Sequence, residues 1–438
     1  MRITASDVAH ITNGRLVGPD SDAEGVSFDS RSLAHGEMFV AVVADRDGND
    51  FLSAARDGGA AFALVSEGRA ISGLSCVEVA DTTIALAQLG RHMRRVIAAS
   101  VENRVVGITG SAGKTSTKNL VRAVLSQQFH QVHAAAHSLN NDIGVPVTIL
   151  NAPHDIDALV IEMGMRGFHE IERLCLIASP HIGVVTNIGD AHGERVGGAA
   201  GIAKAKGELI ESLPEDGIAI LNLDDEWFLA LRNRAKCRVL TFGTSEGADV
   251  RWHVESVDDL GVVTAQFEYN GQFATVTPAL AGTHMVANAA AAVLVGIACG
   301  LDFATACGGI GKEVQEFGRM VWLENAHGQR ILDDSYNANE SSMKAALNVL
   351  ASSAGAKKIA VLGQMAEVAH PVEAHANISF HAKQLGIQVI ALETDLYGLP
   401  ASTLEEVLGT LRKNEWDSLL VKGSRSSATE RVVQALLI

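Results

Sequence analysis

The chain has 438 residues, of which 47% are hydrophobic, and its formal net charge is −16. At about 150 residues per domain, this length predicts two to four domains, and the apolar content suffices for their cores. The acidic balance and the lack of a basic stripe argue against nucleic acid as a partner, because contacts with phosphates would require clustered cations.

Cysteine usage and apolar patterning predict a cytoplasmic protein without a membrane segment. The five cysteines are odd in number and show no CxxC spacing, which is typical of thiols in a reducing compartment. The first ten residues, MRITASDVAH, lack the apolar core of a signal peptide. The longest apolar stretch, 285–299, is too short to span a bilayer.

The first predicted block covers residues 1–80. A helix at 5–12 and short strands near 37–43 and 61–65 predict a small α/β domain. A helix at 82–99 follows and leads into the second block.

The second block, residues 81–309, alternates apolar strands with amphipathic helices. This alternation predicts a doubly wound, largely parallel sheet. Near 252–276 the hydrophobic period shifts towards two, which indicates an antiparallel flap or edge. The predicted parallel strands are 105–109, 158–162, 182–187 and 219–223.

The third block, residues 310–438, repeats the alternation and predicts a Rossmann-like domain, with strands at 330–333, 358–362, 388–392 and 418–421. The expected fold class is therefore α/β with three domains. A small α/β N-terminal domain is followed by a central P-loop ATPase-type doubly wound sheet and a C-terminal Rossmann-like domain.

The most informative motif is GITGSAGKTST at 107–117. An apolar strand runs into a glycine turn, and a helix is predicted from Ser116, which together predict a nucleotide phosphate cradle. Lys114 would contact the β/γ-phosphates, and the Thr115 hydroxyl would ligate Mg²⁺. The loop departs from the common GxxxxGK[ST] pattern, because Ile108 stands at the first glycine position. The predicted cradle residues are Gly110, Ser111, Ala112, Gly113, Lys114, Thr115 and Ser116.

Two further strand ends carry candidate metal ligands. Glu162 ends the strand at 158–162, and the segment IGVVTNIGDAH at 182–192 delivers Asp190 and His192 after the next strand. Ligands bind beyond the carboxyl ends of strands in open α/β sheets, so these side chains are expected beside the phosphate loop.

Other polar positions allow two interpretations. His284 and Asn288 lie four apart in an alanine-rich helix, where core or capping roles are the simpler explanation. Arg319 and the acidic pair 333–334 indicate ribose or metal contacts, or a simple turn. The basic glycine turn VKGSR at 421–425 suits a carboxylate or phosphate, or a turn alone. Lys206 has, from its own pattern, the character of a solvated helix face.

Together these motifs resemble the Mur ligases, ATP-dependent amide-forming enzymes of peptidoglycan precursor synthesis. The phosphate loop is of their shifted TGSxGKT type. DDSYNAN and KGSR are specific to the branch that adds D-Ala-D-Ala to UDP-N-acetylmuramoyl-tripeptide. The matching motifs are DSR at 29–31, FVAV at 39–42, LNNDIGVPVTIL at 139–150, EMGM at 162–165, AKGE at 205–208, GR at 318–319, DDSYNAN at 333–339 and VKGSR at 421–425.

The resemblance implies a mechanism in which ATP phosphorylates the carboxylate of the UDP-linked tripeptide and the dipeptide amine attacks the acyl phosphate. It implies ATP and Mg²⁺ as cofactors and a UDP-substrate-binding domain at 1–80, and a monomer is expected. The implied catalytic residues are Lys114, Asn140, Asn141, His192 and Lys206. Thr115, Glu162, His192 and a carbamylated Lys206 would hold metal. Asn288, Arg319 and Asp334 would contact the nucleotide, and Ser30, Arg31, Tyr336, Asn337, Lys422, Ser424 and Arg425 the other substrates.

Six positions depart from the family's motifs: Asn49, Ala112, Arg195, Met285, Glu340 and Gln364. They leave open a second possibility, in which the same ATP machinery joins a different carboxylate or amine in another pathway. A catalytically silent paralogue is a third possibility, which is disfavoured by the retention of Lys114, Glu162, His192 and Lys206.

Overall fold

The computed structural model describes residues 2–136, 138–189, 196–366, 368 and 370–437. These residues form three units built on a five-stranded, a nine-stranded and a second five-stranded sheet. The predicted α/β fold class is confirmed.

The first unit is a small α/β sheet. Its strand order is β2-β7-β6-β5-β4, so the short strand β4 lies at an edge, and β1 pairs with β3 in a separate ribbon. The predicted helix at 5–12 is confirmed, and Thr4 begins it with a capping box. The elements are β1 Arg2–Thr4, α1 Ala5–Thr12, β2 Arg15–Val17, β3 Asp22–Glu24, β4 Val26–Ser27, β5 Met38–Val40, α2 Leu52–Asp57, β6 Phe62–Ser66 and β7 Cys76–Val79.

The central unit carries the nine-stranded sheet, in the order β16-β15-β14-β13-β12-β11-β8-β10-β9. Strands from β9 to β14 pair in parallel, and β15 and β16 add the predicted antiparallel edge. The elements are α3 Thr82–Val96, α4 Ala98–Val101, β8 Val105–Thr109, α5 Lys114–Leu125, β9 Val132–Ala134, α6 Gly144–Leu150, β10 Ala158–Glu162, α7 Glu170–Ala178, β11 Ile182–Val185, α8 Ala199–Glu211, β12 Ile218–Asn222, α9 Phe228–Arg232, β13 Arg238–Gly243, β14 Val250–Val257, β15 Val263–Tyr269, β16 Gln272–Val276, α10 Thr283–Ala298 and α11 Phe303–Cys307.

Two predicted helix boundaries in this unit were wrong. The helix after the glycine loop begins at Lys114 rather than at Ser116, so its first turn includes the lysine and threonine of the motif. The helix predicted over 82–99 breaks at Ile97, where α3 ends and the short α4 begins. The alanine-rich helix α10 packs closely on α5, because its small side chains let the two helix backbones approach.

The third unit is the predicted Rossmann-like sheet, in the order β17-β18-β21-β19-β20. Its strands are parallel apart from the antiparallel edge strand β17. The elements are β17 Val321–Glu324, β18 Arg330–Asp334, α12 Glu340–Ser352, β19 Lys358–Leu362, α13 Pro371–Gln384, β20 Gln388–Ala391, α14 Leu404–Lys413, β21 Ser418–Lys422 and α15 Glu430–Leu437.

The units are joined in two different ways. One hydrophobic cluster runs without a break from the first sheet through α3 to α6 and α7. The third unit has two clusters, one of which also includes Ala281 of the central unit, and it meets the central unit through the segment 308–320 and through the turn between β14 and β15. At that turn, Trp322 Nε1 donates to Leu260 O (2.7 Å) and Ala354 N donates to Asp259 O (2.9 Å).

All five cysteines are free; Cys76, Cys175 and Cys307 are buried, whereas Cys237 and Cys299 are half-buried. Within the described ranges, the helices are all too short or too polar to cross a bilayer.

Candidate active site

The glycine loop after β8 is packed tightly against two side chains. A Cβ atom on Gly110 would lie 1.8 Å from Thr186 Oγ1, and one on Gly113 would lie 2.8 Å from Asn288 Oδ1. Gly113 also has a φ of 81°, which L side chains rarely adopt. Glycine is therefore required at both positions, and Asn288 lies directly against the predicted phosphate loop.

Asn187 holds the loop from the neighbouring strand, a role that the sequence analysis missed. Its Oδ1 accepts from Ala112 N (3.0 Å), its Nδ2 donates to Ala112 O (3.1 Å), and its carbonyl accepts from Ser111 N (3.0 Å). The signal was its place just after β11, at the same sheet edge as the loop.

Two lysines converge on one carbonyl of the loop. Lys114 Nζ donates to Gly110 O at 2.8 Å, and Lys206 Nζ donates to the same oxygen at 3.0 Å. Lys206 is only 2% exposed, so the solvated face suggested by its own pattern is wrong. Burial, and then the charge of Lys114, hold the pKa of Lys206 well below its ordinary value, which favours the neutral form of the amine.

The predicted metal residues form a cluster of oxygen ligands. Thr115 Oγ1 donates to Glu162 Oε2 (2.8 Å) and lies 3.0 Å from Ser138 Oγ, and Asn140 Nδ2 donates to Glu162 Oε1 (2.8 Å). Glu162 is 2% exposed. A buried carboxylate beside two hydroxyls is the hard-oxygen set that Mg²⁺ prefers, so these residues fit the predicted ion.

His192, predicted as a catalytic residue and metal ligand, lies outside the described residues, as does Asp190. Among the residues that the structure does describe, no three His, Cys, Asp or Glu side chains group as a metal site. The fit for Mg²⁺ therefore rests on Thr115, Ser138 and Glu162.

Arg319 reaches the loop from the third unit. Its Nη2 donates to Ser138 Oγ (2.7 Å), and its guanidinium stacks 4.0 Å from the centre of the Tyr336 ring. The acidic pair holds the turn that presents it: Asp333 Oδ2 accepts from Gly318 N (3.0 Å) and Asp334 Oδ1 from Met320 N (3.2 Å). The pair thus positions the arginine as well as closing a turn.

Lys422 and Asp334 form a buried ion pair at 2.5 Å, and Lys422 Nζ also donates to Asn337 O (2.8 Å). Burial raises the pKa of Asp334, although the lysine opposes that shift. Lys422 therefore neutralises a carboxylate of its own chain. Arg425 also pairs with one, Glu430 Oε1 at 3.5 Å, but its side chain is 70% exposed and its guanidinium lies 5.9 Å from the Tyr336 ring centre. Ser424 Oγ accepts from Ala366 N (2.8 Å).

Two cavities meet at the end of the loop. One, of ≈ 330 Å³, lies between the glycine loop, Asn288, Arg319 and Asp334. The other, of ≈ 690 Å³, is lined by Asn141, Lys206 and the 424–426 turn. They share the side chains of Lys114, Ser138, Asn140, Tyr336 and Asn337.

Asn141, besides lining the larger cavity, lies three residues before the start of α6. Its Oδ1 accepts from Ile143 N (3.2 Å) and Gly144 N (2.8 Å). It therefore aligns the helix that follows the predicted acyl-phosphate residues.

Ser30 and Arg31 lie apart from this pair of cavities, on the loop after β4 in the first unit. Arg31 Nη2 and Asp29 Oδ2 are 2.7 Å apart, and hydrogen bonds from Arg31 lower the pKa of Asp29 to about 2. Their predicted contact with a UDP-sugar stays a prediction.

Three of the departures from the family motifs, Asn49, Glu340 and Gln364, have side-chain or backbone partners, and Arg195 lies outside the described residues. Asn49 is buried and exchanges hydrogen bonds with Ser66. Glu340 pairs with Lys344 (2.6 Å) on α12, facing a separate cavity. The carbonyl of Gln364 accepts from Ser424 N (3.0 Å).

Comparison with known proteins identifies relatives of the whole chain. Residues 108–296 match the Mur ligase middle domain, and residues 318–436 match the Mur ligase, glutamate ligase domain. The UDP-N-acetylmuramoyl-tripeptide–D-alanyl-D-alanine ligase of Escherichia coli is 35% identical over 99% of this chain and 98% of its own length. The enzyme of the same name from Bacillus subtilis is 34% identical over 83% of this chain and 79% of its own.

Solved structures agree with these relatives. MurF from Acinetobacter baumannii superimposes with a TM-score of 0.87 at 28% identity and covers 100% of this chain and 99% of its own. MurF ligase from Thermotoga maritima, solved in complex with ADP, has a TM-score of 0.78 at 27% identity and covers 94% of this chain and 97% of its own.

Proposed function

Because the chain belongs to the Mur ligase family, we propose that it joins D-alanyl-D-alanine to UDP-N-acetylmuramoyl-tripeptide at the expense of ATP, in peptidoglycan precursor synthesis. The observation that carries this proposal is the pair of cavities that meet at Lys114 and Asn140. One suits a nucleotide beside a phosphate loop, and the other suits an acceptor carboxylate beside the same lysine.

In the first step, the acceptor carboxylate takes the γ-phosphoryl group of ATP, which gives an acyl phosphate and ADP. Lys114 and the N-terminus of α5 neutralise the charge that spreads over the phosphate oxygens. Arg319 adds a second cation from the third unit and is held there by Ser138 and Tyr336. Asn140 and Asn141 line the side of the cavity where the acyl group would lie.

In the second step, the amine of the dipeptide attacks the acyl carbon, a tetrahedral intermediate forms, and phosphate leaves as the amide bond closes. The protein supplies alignment and charge stabilisation for this step. Arg425 is the exposed cation of the 422–425 turn, and we propose that it receives the free carboxylate of the dipeptide. Tyr336, Asn337 and Ser424 shape the wall beside it.

Thr115 and Glu162, with His192, are the proposed Mg²⁺ ligands. The ion, when bound, neutralises phosphate charge. Lys206 is proposed to be carbamylated: its neutral amine forms an N–C bond to carbon dioxide and releases a proton, which leaves a carboxylate in place of the amine. The burial of Lys206, which favours the unprotonated amine, and its place beside Gly110 and Lys114 support this proposal.

The uridine end of the acceptor is assigned to the first unit, on Ser30 and Arg31, with domains at 1–80, 81–309 and 310–438. A monomer in the cytoplasm remains our prediction for the state of the protein.

A phosphate-release assay tests the proposal. We expect phosphate and a ligated product of the correct mass only when ATP, UDP-N-acetylmuramoyl-tripeptide and D-Ala-D-Ala are all present, and none from Lys114→Ala. Equal turnover with L-lysine, D-glutamate or meso-diaminopimelate as amine would refute the donor and favour a ligase of another pathway. Turnover by Lys114→Ala at the wild-type rate would refute the phosphate-loop assignment.

A further inference from the structure

The edge strand of the first sheet is completed by a side chain of the central unit. Strand β4 pairs in parallel with β5 on one side only, where Gly25 O accepts from Met38 N (3.0 Å). The N–H and C=O of Val26 face the other, open side. There Val26 N donates to Asn151 Oδ1 (2.8 Å), and Asn151 Nδ2 donates to Val26 O (2.9 Å). One amide thus satisfies both groups, as a neighbouring strand would.

The chain that leaves Val26 is stiff up to the predicted uridine loop. Ser27 Oγ accepts from Asp29 N (3.2 Å) and donates to Asp29 O (3.1 Å). Asp29 then binds both the backbone N–H (3.0 Å) and the guanidinium of Arg31. The position of Val26 therefore determines the position of Ser30 and Arg31.

On its other side, Asn151 is the residue that ends α6. All seven residues of this helix, Gly144–Leu150, are buried, so it behaves as a rigid spacer of roughly 10 Å. At its start stand Asn141, which aligns it, and Asn140, which is hydrogen-bonded to Glu162. The helix thus connects the acyl-phosphate residues to the edge of the first sheet.

We propose that Asn151 is a positioning residue that sets the placement of the uridine loop relative to the acyl-phosphate site, and so selects acceptors of the correct length. The inference rests on the proposed function for the identity of the acceptor. The apolar cluster between the two units supplies attraction without direction, whereas the two hydrogen bonds of one planar amide fix both orientation and register. A ligand that spans both units requires that register, and a ligand that contacts one unit does not.

The close fit at this contact supports a defined geometry. A Cβ atom on Gly25 would lie 3.3 Å from Asn151 Oδ1 and 3.1 Å from Glu37 Oε1, and Gly25 has a φ of 107°. Because Gly25 has no side chain, β4 approaches the Asn151 amide closely enough for the next residue, Val26, to form both hydrogen bonds.

The test compares Asn151→Ala and Asn151→Asp with the wild type and with Asn325→Ala. The aspartate keeps an acceptor for Val26 N but places a carboxylate against the Val26 carbonyl. Asn325 is a matched control, because its Oδ1 also accepts from two backbone N–H groups, at 3.0 Å each, in the hairpin between β17 and β18. The measurements are the affinity for UDP alone, the KM values for UDP-N-acetylmuramoyl-tripeptide and ATP, and hydrogen exchange at the Val26 amide.

We expect both Asn151 variants to raise the KM for the UDP-tripeptide about tenfold, because the alanine loses both hydrogen bonds and the aspartate loses the one to the Val26 carbonyl and places a charge against it. In the Asn151 variants, the affinity for UDP and the KM for ATP should stay within about twofold of the wild type. In Asn325→Ala, the UDP affinity and both KM values should stay within the same limit. The Val26 amide should exchange faster only in the Asn151 variants. An unchanged KM for the UDP-tripeptide, an equal loss of UDP affinity, or the same effect in Asn325→Ala would overturn the inference.

Failure of the proposed function has a different signature. A wild-type protein that binds neither UDP nor the UDP-tripeptide would refute the proposed acceptor. The exchange measurement still decides the positioning contact in that case: faster exchange at Val26 in Asn151→Ala supports it, and unchanged exchange overturns it.

Discussion

The junction between the first and central units is apolar, whereas the junction between the central and third units is polar near the site. Between the first and central units, one apolar cluster includes Met38 of the sheet, Leu86 of α3 and Val145 of α6. Between the central and third units, the contacts near the site are polar. Glu316 accepts from Lys118 (3.3 Å) and Asn119 (2.9 Å), Arg319 donates to Ser138, and Asn339 Nδ2 donates to Ser111 O (3.3 Å).

This difference indicates which unit moves during the reaction. An apolar cluster cannot open without exposing its whole surface to water, whereas polar contacts are exchanged for water at little net cost. We therefore expect the first and central units to behave as one body and the third unit to open and close over the acyl phosphate, which excludes water from it.

The largest effect is expected from Arg319→Ala, which removes the cation that crosses the polar junction. We expect kcat/KM to fall by about 10²–10³-fold, as for other preorganised donors in active sites. The denaturant midpoint should change little. Arg330→Ala is the control, because Arg330 also crosses this junction, to Asp259 O, but away from the loop. An equal loss in both variants would show that the contact, and not the charge beside the phosphates, matters.

A substitution in the apolar junction should lower the free energy of unfolding rather than kcat/KM. Leu86 is fully buried in the shared cluster, so Leu86→Ala should cost about 3 kcal/mol of unfolding free energy. Hydrogen exchange in increasing urea should show the first and central units shifting together. Leu347→Ala, in the cluster of the third unit, should shift that unit alone. Separate transitions for the first two units in Leu86→Ala would contradict the one-body description.

Acidification should weaken the polar junction through His284. Burial, and then the charge of Lys422, lower the pKa of His284 to about 4. As the pH falls from about 6.5 towards 4, the unfolded state takes up the proton first, so the free energy of unfolding falls across that window. His284→Gln should flatten this part of the stability profile, and His10→Gln on the surface should not. If the free energy of unfolding depends on pH in the same way in His284→Gln and in the wild type, His284 is not the group responsible for the loss of stability.

The smallest effect is expected from Glu316→Gln. The amide keeps an acceptor for Asn119 but removes the charge beside Lys118, which also donates to Ala135 O (2.7 Å). We expect a loss of about 1 kcal/mol from the junction, visible as faster limited proteolysis of the segment 308–320 and unchanged stability of the first two units. Cleavage at the wild-type rate would show that this contact does not hold the junction closed.

Much of the fold could be predicted because it depends on local patterns. Strands 105–109, 158–162 and 358–362 have their predicted bounds, since a buried parallel strand is a continuous apolar run between turn residues. The sequence analysis missed the break in the helix at Ile97 and the start of α5 at Lys114. Both depend on what the helix ends pack against rather than on their own residues.

The site was predicted less completely, because contacts between distant segments leave little local signal. Lys206 looked solvated, yet α8 buries it against Gly110. Lys422, which is predicted to contact a substrate, lines the smaller cavity, but its ion pair with Asp334, 88 positions away, left no local signal. Asn187 and Asn151 were not singled out, because an asparagine after a strand or helix is also an ordinary end residue.

The turn between β14 and β15 bears on the axis about which we expect the third unit to rotate. It reaches out of the central sheet and binds Trp322 and Ala354 of the third unit through Leu260 and Asp259. The covalent segment 308–320 is a second attachment. If the polar contacts near the site open while these two attachments persist, the third unit can rotate only about the line that joins them, and we expect its motion to follow that axis. Arg319 lies next to one of those attachments, and Arg425 lies against the same Tyr336 ring, so we expect the two guanidiniums to stay together beside the nucleotide as the unit turns.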